Sequence, residues 1–292
     1  MKQVPELPEV ETTVRELKKA ILGRKIEDVW SDFQKIVKKP DSFQEFSKRI
    51  KGRMIKKIWR RAKNIIIELS DNNSLLIHQK MTGHLLVGKW QNKKGKWVVL
   101  QKGPLEDPAN RFLHLILRLD NGNMLALSDL RKFAKVELQN NKVLQKELGY
   151  LGPEPLDKSF TFEKFKEVLQ KRKGKIKQVL MDQTVISGIG NIYSDEILWR
   201  AKIHPQKNVS MLSPDELLRI YRAIKTILPL AIKLQGESFS DYRRPSGEKG
   251  YYDTKRKVYR RKGEKCSRCG TIIQRIKIAG RSAHFCPNCQ KL

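Results

Sequence analysis

Cysteine is scarce in this chain of 292 residues: there are four, all within the last 27 positions, so any thiol chemistry is confined to that end. No run of eighteen apolar residues occurs, and no hydrophobic core of a leader stands at the N-terminus. Neither a membrane span nor a signal peptide is therefore expected, and the expected location is the cytoplasm, in association with the nucleoid. Acidic residues are also in short supply. Asp and Glu number 31 against 61 Lys and Arg, for a net charge of +30. An ordinary surface mixes its signs. A two-to-one cationic excess points to a large anionic partner, and nucleic acid fits it better than a membrane surface does. No internal repeat is present.

The cysteines form two pairs, Cys266-Ser-Arg-Cys269 and Cys286-Pro-Asn-Cys289, with 16 residues between them. Thiolates two residues apart can bind one tetrahedral ion from a tight turn, and two such turns complete the shell. The competing reading is a pair of disulfides or free thiols. The pattern predicts one structural Zn2+ on Cys266, Cys269, Cys286 and Cys289, with no open position for a substrate. His284 beside the second pair is expected to pack or face solvent, since four thiolates suffice. A module this small needs its metal to fold.

Along the chain, Val10, Val14, Leu17 and Ile21 recur at helical spacing, with Pro8 suited to the first turn and Gly23 to the stop. Residues 25–139 read mostly as strands. Ile65-Ile66-Ile67 and Leu75-Leu76-Ile77 flank an Asp-Asn-Asn turn, and Asn121-Gly122 joins two apolar runs as a hairpin signal. Such spacing predicts an antiparallel sandwich. Residues 88–111, polar and rich in Lys and Gly, read as a long surface loop. The pattern changes at Gly149–Pro155, and from 160 to 235 the periodicity is helical, interrupted by Gly188-Ile189-Gly190-Asn191. A polar loop follows from Gly236 to Gly250. Residues 243–292 then carry 15 Lys and Arg against three Asp and Glu.

Three constellations could carry chemistry. Gly188–Asn191 opens a helix, so its backbone N–H groups can face an anion, and Lys171, Arg172, Lys173, Lys175 and Lys177 just upstream favour phosphate. Arg60-Arg61-Ala62-Lys63-Asn64 precedes an apolar strand, where such a cluster is usually a solvated strand start. Met81 in a loop, and Arg131-Lys132-Phe133, combine charge with apolar bulk. Wedges of that kind can brace a duplex from which one base has been flipped.

PELPEVE at residues 5–11, RRAKN, HQKMTG, LRKF, LGPEPL, SGIGNIY and the terminal CxxC pairs together resemble the formamidopyrimidine-DNA glycosylase family, in order and over nearly the whole chain. The resemblance implies an α+β multidomain protein acting as a monomer on damaged double-stranded DNA, without a membrane. Its parts would be an N-terminal catalytic β-sandwich with flanking helices (1–140), a linker (141–158), and a helix–two-turns–helix domain (159–236). A lesion-covering loop and connection (237–255) and a zinc finger (256–292) would follow. The implied activity is excision of oxidised purines, then cleavage of the abasic strand by β,δ-elimination. Carried over by motif, Pro5 is the nucleophile and Glu6 the acid. Lys63 assists β-elimination and holds a phosphate, and Arg281 assists δ-elimination. Met81, Arg131 and Phe133 fill the void, while Lys173 and Asn191 grip phosphates. The loop Glu237–Lys249 would cover the flipped base. One departure is visible: where many relatives carry a first His before the hairpin strand, this chain has Phe112, which is expected to weaken one DNA contact.

As written, Pro5 lies in a peptide bond and its nitrogen is an amide. Translation is therefore expected to begin at Val4, read from a GTG codon, with the initiating Met then removed; the competing readings are proteolytic trimming of a real tetrapeptide and a catalytically retired homologue. Two alternatives stay open: an endonuclease VIII-like enzyme for oxidised pyrimidines, whose start is typically PEGPE, and a non-catalytic zinc-finger nucleic-acid-binding protein. Leu7 favours the purine branch.

Overall fold

The computed structural model describes residues 5–238 and 241–292, so the suspected start at Val4 and two positions of the 237–249 loop lie outside the described residues. In chain order the regular elements are α1 (Leu7–Ile21), β1 (Ile26–Trp30), β2 (Val37–Lys39), α2 (Phe43–Ile50), β3 (Ile55–Arg61) and β4 (Asn64–Leu69). Then come β5 (Asn73–His78), β6 (His84–Gly88), β7 (Trp90–Lys93), β8 (Lys96–Val99), β9 (Leu113–Leu119), β10 (Met124–Ser128), β11 (Lys135–Asn140) and α3 (Asn141–Leu148). The remainder holds α4 (Phe162–Gln170), α5 (Ile176–Met181), α6 (Asn191–Ala201), α7 (Pro214–Lys233), β12 (Gln274–Ile278) and β13 (Arg281–Phe285). The chain divides into two compact units: one runs to Gly149 and adds Leu234–Asp253, the other joins Tyr150–Lys233 to Thr254–Leu292. No helix among the described residues is long and apolar enough to cross a membrane.

The first unit is the expected sandwich. One sheet has the order β1-β9-β10-β6 and the other β2-β11-β5-β4-β3. All pairs are antiparallel except β11 with β2. Alternate residues of both sheets, such as Ile65, Ile67, Leu75 and Ile77 against Leu85, Leu115, Leu117 and Leu125, meet in one core. Helix α1 adds Val10, Val14, Leu17 and Ile21 to that core and ends where Gly23 turns at φ +78°. Asn121-Gly122 makes the hairpin turn between β9 and β10, with the Asn121 side chain accepting from Asn123 N–H.

Residues 88–111 depart from the expected loop. They form the β7–β8 hairpin and two 3₁₀ turns, Pro104–Glu106 and Pro108–Arg111. Trp90, Leu105 and Trp97 cover the outer face of the four-stranded sheet over Leu86, Leu113, Ile116 and Ala126. Widely spaced apolar anchors among lysines hid this second core from a periodicity test.

The second unit is helical and carries the C-terminal hairpin β12–β13. Helix α4 is capped by Thr161, and Phe160, Phe165 and Tyr221 stack between α4 and α7. Helix α6 is enclosed on nearly all sides, Ile192 to Trp199 being buried without a break.

Candidate active site and nucleic-acid interface

Glu6 is the N-cap of α1, and the Glu9 carboxylate accepts its backbone N–H at 2.9 Å. Both carboxylates are buried, as is Pro5. Glu9 does more than suit the helix dipole. Its other oxygen accepts the Glu237 N–H at 2.8 Å, and its carbonyl accepts the Tyr242 hydroxyl at 3.0 Å. A Cβ at Gly236 would sit 3.0 Å from the Glu9 side chain, so glycine lets the two segments meet. One carboxylate thus joins the start of the candidate catalytic segment to the root of the candidate lesion-covering loop.

Lys63 lies in the tight β3–β4 turn, where Ala62 has φ +52°. Arg60 braces that turn: its guanidinium donates to Ala62 O at 2.9 Å and to Glu11 of α1 at 3.0 Å. Arg60 is therefore buried and ion-paired rather than part of a solvated strand start. Burial raises the Glu11 carboxyl, but Arg15 and Arg60 outweigh it and hold the group below its ordinary range. Nearby, burial, reinforced by Lys80, Lys63 and Lys135, pushes His78 down to about 3. The neutral imidazole thus sits within the positive field of three lysines, Lys63 among them. Sequence reasoning did not single out His78; its place beside Lys80-Met81 was the available signal.

The structure brings the three void-filling candidates together. Arg131 donates to Met81 Sδ at 3.2 Å and lies over the Phe133 ring at 4.4 Å, with Phe133 exposed. The fully buried Asp129 holds this group from beneath. Its carboxylate accepts the Arg131, Phe133 and Ala134 N–H groups and the Thr82 hydroxyl. Phe112, at the position of the missing His, instead packs under Arg111 at 4.9 Å.

In the second unit, Gly190 caps α6 and Asn191 is its first residue, as the glycine pattern implied. The Gln183 side chain shapes the approach, accepting Gly188 N–H and donating to Ile189 O, both at 2.8 Å. Lys173 is exposed between α4 and α5. Lys177, counted with the phosphate-facing lysines, is not among them. It is buried and ion-paired with Asp195, and it donates to Ser194 Oγ at 3.3 Å.

The Sγ atoms of Cys266, Cys269, Cys286 and Cys289 all lie within 4.8 Å of one another. Cys266 N–H donates to Thr271 O and Gly270 N–H to Cys266 O, the tight turn that points two thiols at one place. Trp199 Nε1 donates to Cys266 Sγ at 3.4 Å, so the cluster also has an outer hydrogen bond. Four converging thiolates without an open position fit one structural zinc ion. His284 is a packing residue, as expected: its N–H and Nδ1 face Asp195 at 2.9 and 3.0 Å. Glu196 accepts the N–H groups of Lys257, Val258 and Tyr259, fastening the segment that leads into the finger. Arg281 is exposed just after the Ala279-Gly280 turn, at the tip of the hairpin.

Three family models match: the formamidopyrimidine-DNA glycosylase N-terminal domain over residues 4–136, the H2TH domain of the same enzymes over 151–243, and the zinc finger found in FPG and IleRS over 263–292. The formamidopyrimidine-DNA glycosylase of Pelotomaculum thermopropionicum is 38% identical over 291 residues, covering 99% of this chain and 100% of that protein. Its counterpart from Herpetosiphon aurantiacus is 39% identical, covering 98% and 100%. A solved complex of Lactococcus lactis Fpg with abasic-site DNA aligns with TM-score 0.84 at 38% identity, covering 98% and 100%. MutM bound to DNA containing carbocyclic 8-oxo-G aligns equally well, covering 99% and 100%. Likeness on this scale, over both units and the finger, means that the chain belongs to the formamidopyrimidine-DNA glycosylase family.

Proposed function

We propose that this protein repairs oxidised DNA as a monomer at the nucleoid, excising 8-oxoguanine and formamidopyrimidines and then cutting the abasic strand. The observation that carries the reading is the Glu9 junction, which ties the Pro5–Glu6 segment to the stretch that would close over an extruded base. The relatives seen with abasic, Fapy-dG and 8-oxo-G DNA support it.

A terminal Pro5 amine attacks C1′ of the damaged nucleotide while Glu6 supplies the proton that lets the base leave. An α-amino group with a reference pKa near 8 is about one quarter free base at pH 7.4, against about 0.1% for an ordinary lysine. A secondary amine is intrinsically more basic, so the site must offset part of that advantage. The product is a charged iminium, an electron sink from which the 3′ phosphate and then the 5′ phosphate are expelled. Lys63 holds the neighbouring phosphate and assists the first elimination, and Arg281 assists the second. Lys173 and the Asn191 end of α6 grip the backbone. Met81, Arg131 and Phe133 occupy the gap, and the 237–249 loop covers the base. Zinc supplies structure alone.

Nicking assays on duplexes that each hold one lesion test this. Cleavage at 8-oxoguanine should far exceed cleavage at an oxidised pyrimidine; the reverse order would favour the endonuclease VIII-like alternative.

A further inference from the structure

Asp195, one turn into α6, is where three segments of the second unit meet. One of its carboxylate oxygens takes the Lys177 ammonium from α5, which also donates to Ser194 Oγ at 3.3 Å and to Asn191 O at 3.4 Å. Ser194 Oγ in turn donates to Asn191 O at 3.3 Å, so the opening turn of α6 is braced from inside. The other carboxylate oxygen accepts two bonds from β13, the His284 main-chain N–H at 2.9 Å and its Nδ1 at 3.0 Å. Facing an acceptor, Nδ1 is the ring nitrogen that carries the proton. Every contact of the cluster then pairs a donor with an acceptor. The Tyr259 ring stands edge-on to the imidazole, with centroids 5.2 Å apart.

This clamp lies between two residues that the proposed reaction uses. Asn191, which begins α6, is four residues before Asp195, and Arg281, which begins β13, is three before His284. The side chains of Asp195 and His284 are 0% and 7% exposed. Other polar ties hold the finger as a module: Glu196 accepts Val258 N–H, Trp199 donates to Cys266 Sγ, and Gln290 donates to Ile203 O at 2.9 Å. Those ties fall outside β13, whereas Asp195 holds the strand that carries Arg281. A carboxylate with assigned donors on both sides fixes their places, because a shift of either leaves a buried bond unmade.

We infer that Asp195 and His284 are positioning residues for the second elimination. They keep the strand of Arg281 in place against the phosphate-gripping end of α6, so that Arg281 meets the DNA strand that α6 holds. The inference rests on the roles given above to Arg281 and Asn191. Buried as they are, neither Asp195 nor His284 touches the reacting atoms.

The test separates the two sides of the clamp. Zinc-loaded protein beginning at Pro5 is given an 8-oxoguanine duplex, and base release and the ratio of δ to β ends are followed in the same reactions. In Asp195→Asn the amide oxygen goes to the Lys177 ammonium, and the NH2 is left facing the His284 N–H, donor against donor. The ratio should fall at least about fivefold, since misplacing a reacting group by about 1 Å can cost about a hundredfold, while base release keeps its native rate. Combining Asp195→Asn with Lys177→Met frees the oxygen for His284, and the ratio should return to within about twofold of native. A native ratio in Asp195→Asn, a loss of base release as large as the loss of δ ends, or a ratio that stays low in the combined variant overturns the inference. Arg281→Ala is run alongside. Unchanged ends in that variant would remove Arg281 from the step and the clamp's purpose with it, whereas a shift there with none in Asp195→Asn rejects the clamp alone. Should Asp195→Asn fail to hold zinc, His284→Phe, which removes the Nδ1 donor, should lower the ratio, and His284→Asn, which returns an N–H near that place, should restore it. Equal ratios in those two variants would overturn the inference.

Discussion

Replacing Lys177 with Met should destabilise the second unit more than any exposed lysine change. Lys177 and Asp195 have side chains 1% and 0% exposed, so removing the cation strands a carboxylate inside the protein. Breaking a buried ion pair from one side costs about 3–5 kcal/mol. The low end applies here because His284 still gives Asp195 two donors, at 2.9 and 3.0 Å. For a unit of about 120 residues, a loss of about 3 kcal/mol lowers the melting temperature by on the order of 10 °C. Calorimetry of the zinc-loaded protein would resolve this. Adding Asp195→Asn to Lys177→Met removes the stranded charge while keeping an acceptor for His284, and should recover at least about 1 kcal/mol. A loss below about 1 kcal/mol for Lys177→Met alone would refute the reasoning.

Three further expectations follow from the site. Because burial pulls His84 down to about 4, the unfolded chain gains a proton below about pH 6.5 that the folded chain refuses. Stability should therefore fall between pH 6.5 and 4, by up to about 3 kcal/mol from this group, and His84→Gln should flatten the denaturation midpoint against pH by about one proton; an unchanged slope would contradict the assignment. Elemental analysis should find one zinc per chain, and Cys269→Ala should unfold the finger and weaken DNA binding, whereas full nicking by metal-free protein would contradict a structural metal. Arg281→Ala should leave base release intact and shift strand ends from δ- toward β-elimination on denaturing gels, and an unaltered ratio would remove Arg281 from that step.

Much of this was legible because the signals were local. The apolar runs on either side of Asn121-Gly122, the helix opened by Gly190-Asn191 and the two CxxC turns each need only a few neighbouring residues to be understood. The family motifs likewise named residues that the fold gathers, Met81 with Arg131 and Phe133 among them. What stayed hidden depends on partners far along the chain. Glu9 read as a charge at a helix start, since Glu237 is 228 residues away. Lys177 counted as one more lysine in a basic run until Asp195 and Ser194 enclosed it. Trp90 and Trp97 were too widely separated among lysines to announce a hairpin. The contacts of His84 with Asn110, of Asn110 with Gly247 and of Asp107 with Arg243 exist only once three separate segments have packed together.

The central claim is that Pro5 performs the chemistry as a chain terminus, and borohydride trapping addresses it most directly. Two versions are compared on a duplex containing 8-oxoguanine, one beginning at Pro5 and one beginning at Met1 and verified as uncut. An amide nitrogen has no lone pair to give, whereas a terminal proline forms an iminium that borohydride reduces to a stable bond. The account predicts a covalent protein–DNA adduct at Pro5 from the first version and none from the second. Equal trapping by the intact Met1 version would show that some other amine is the nucleophile.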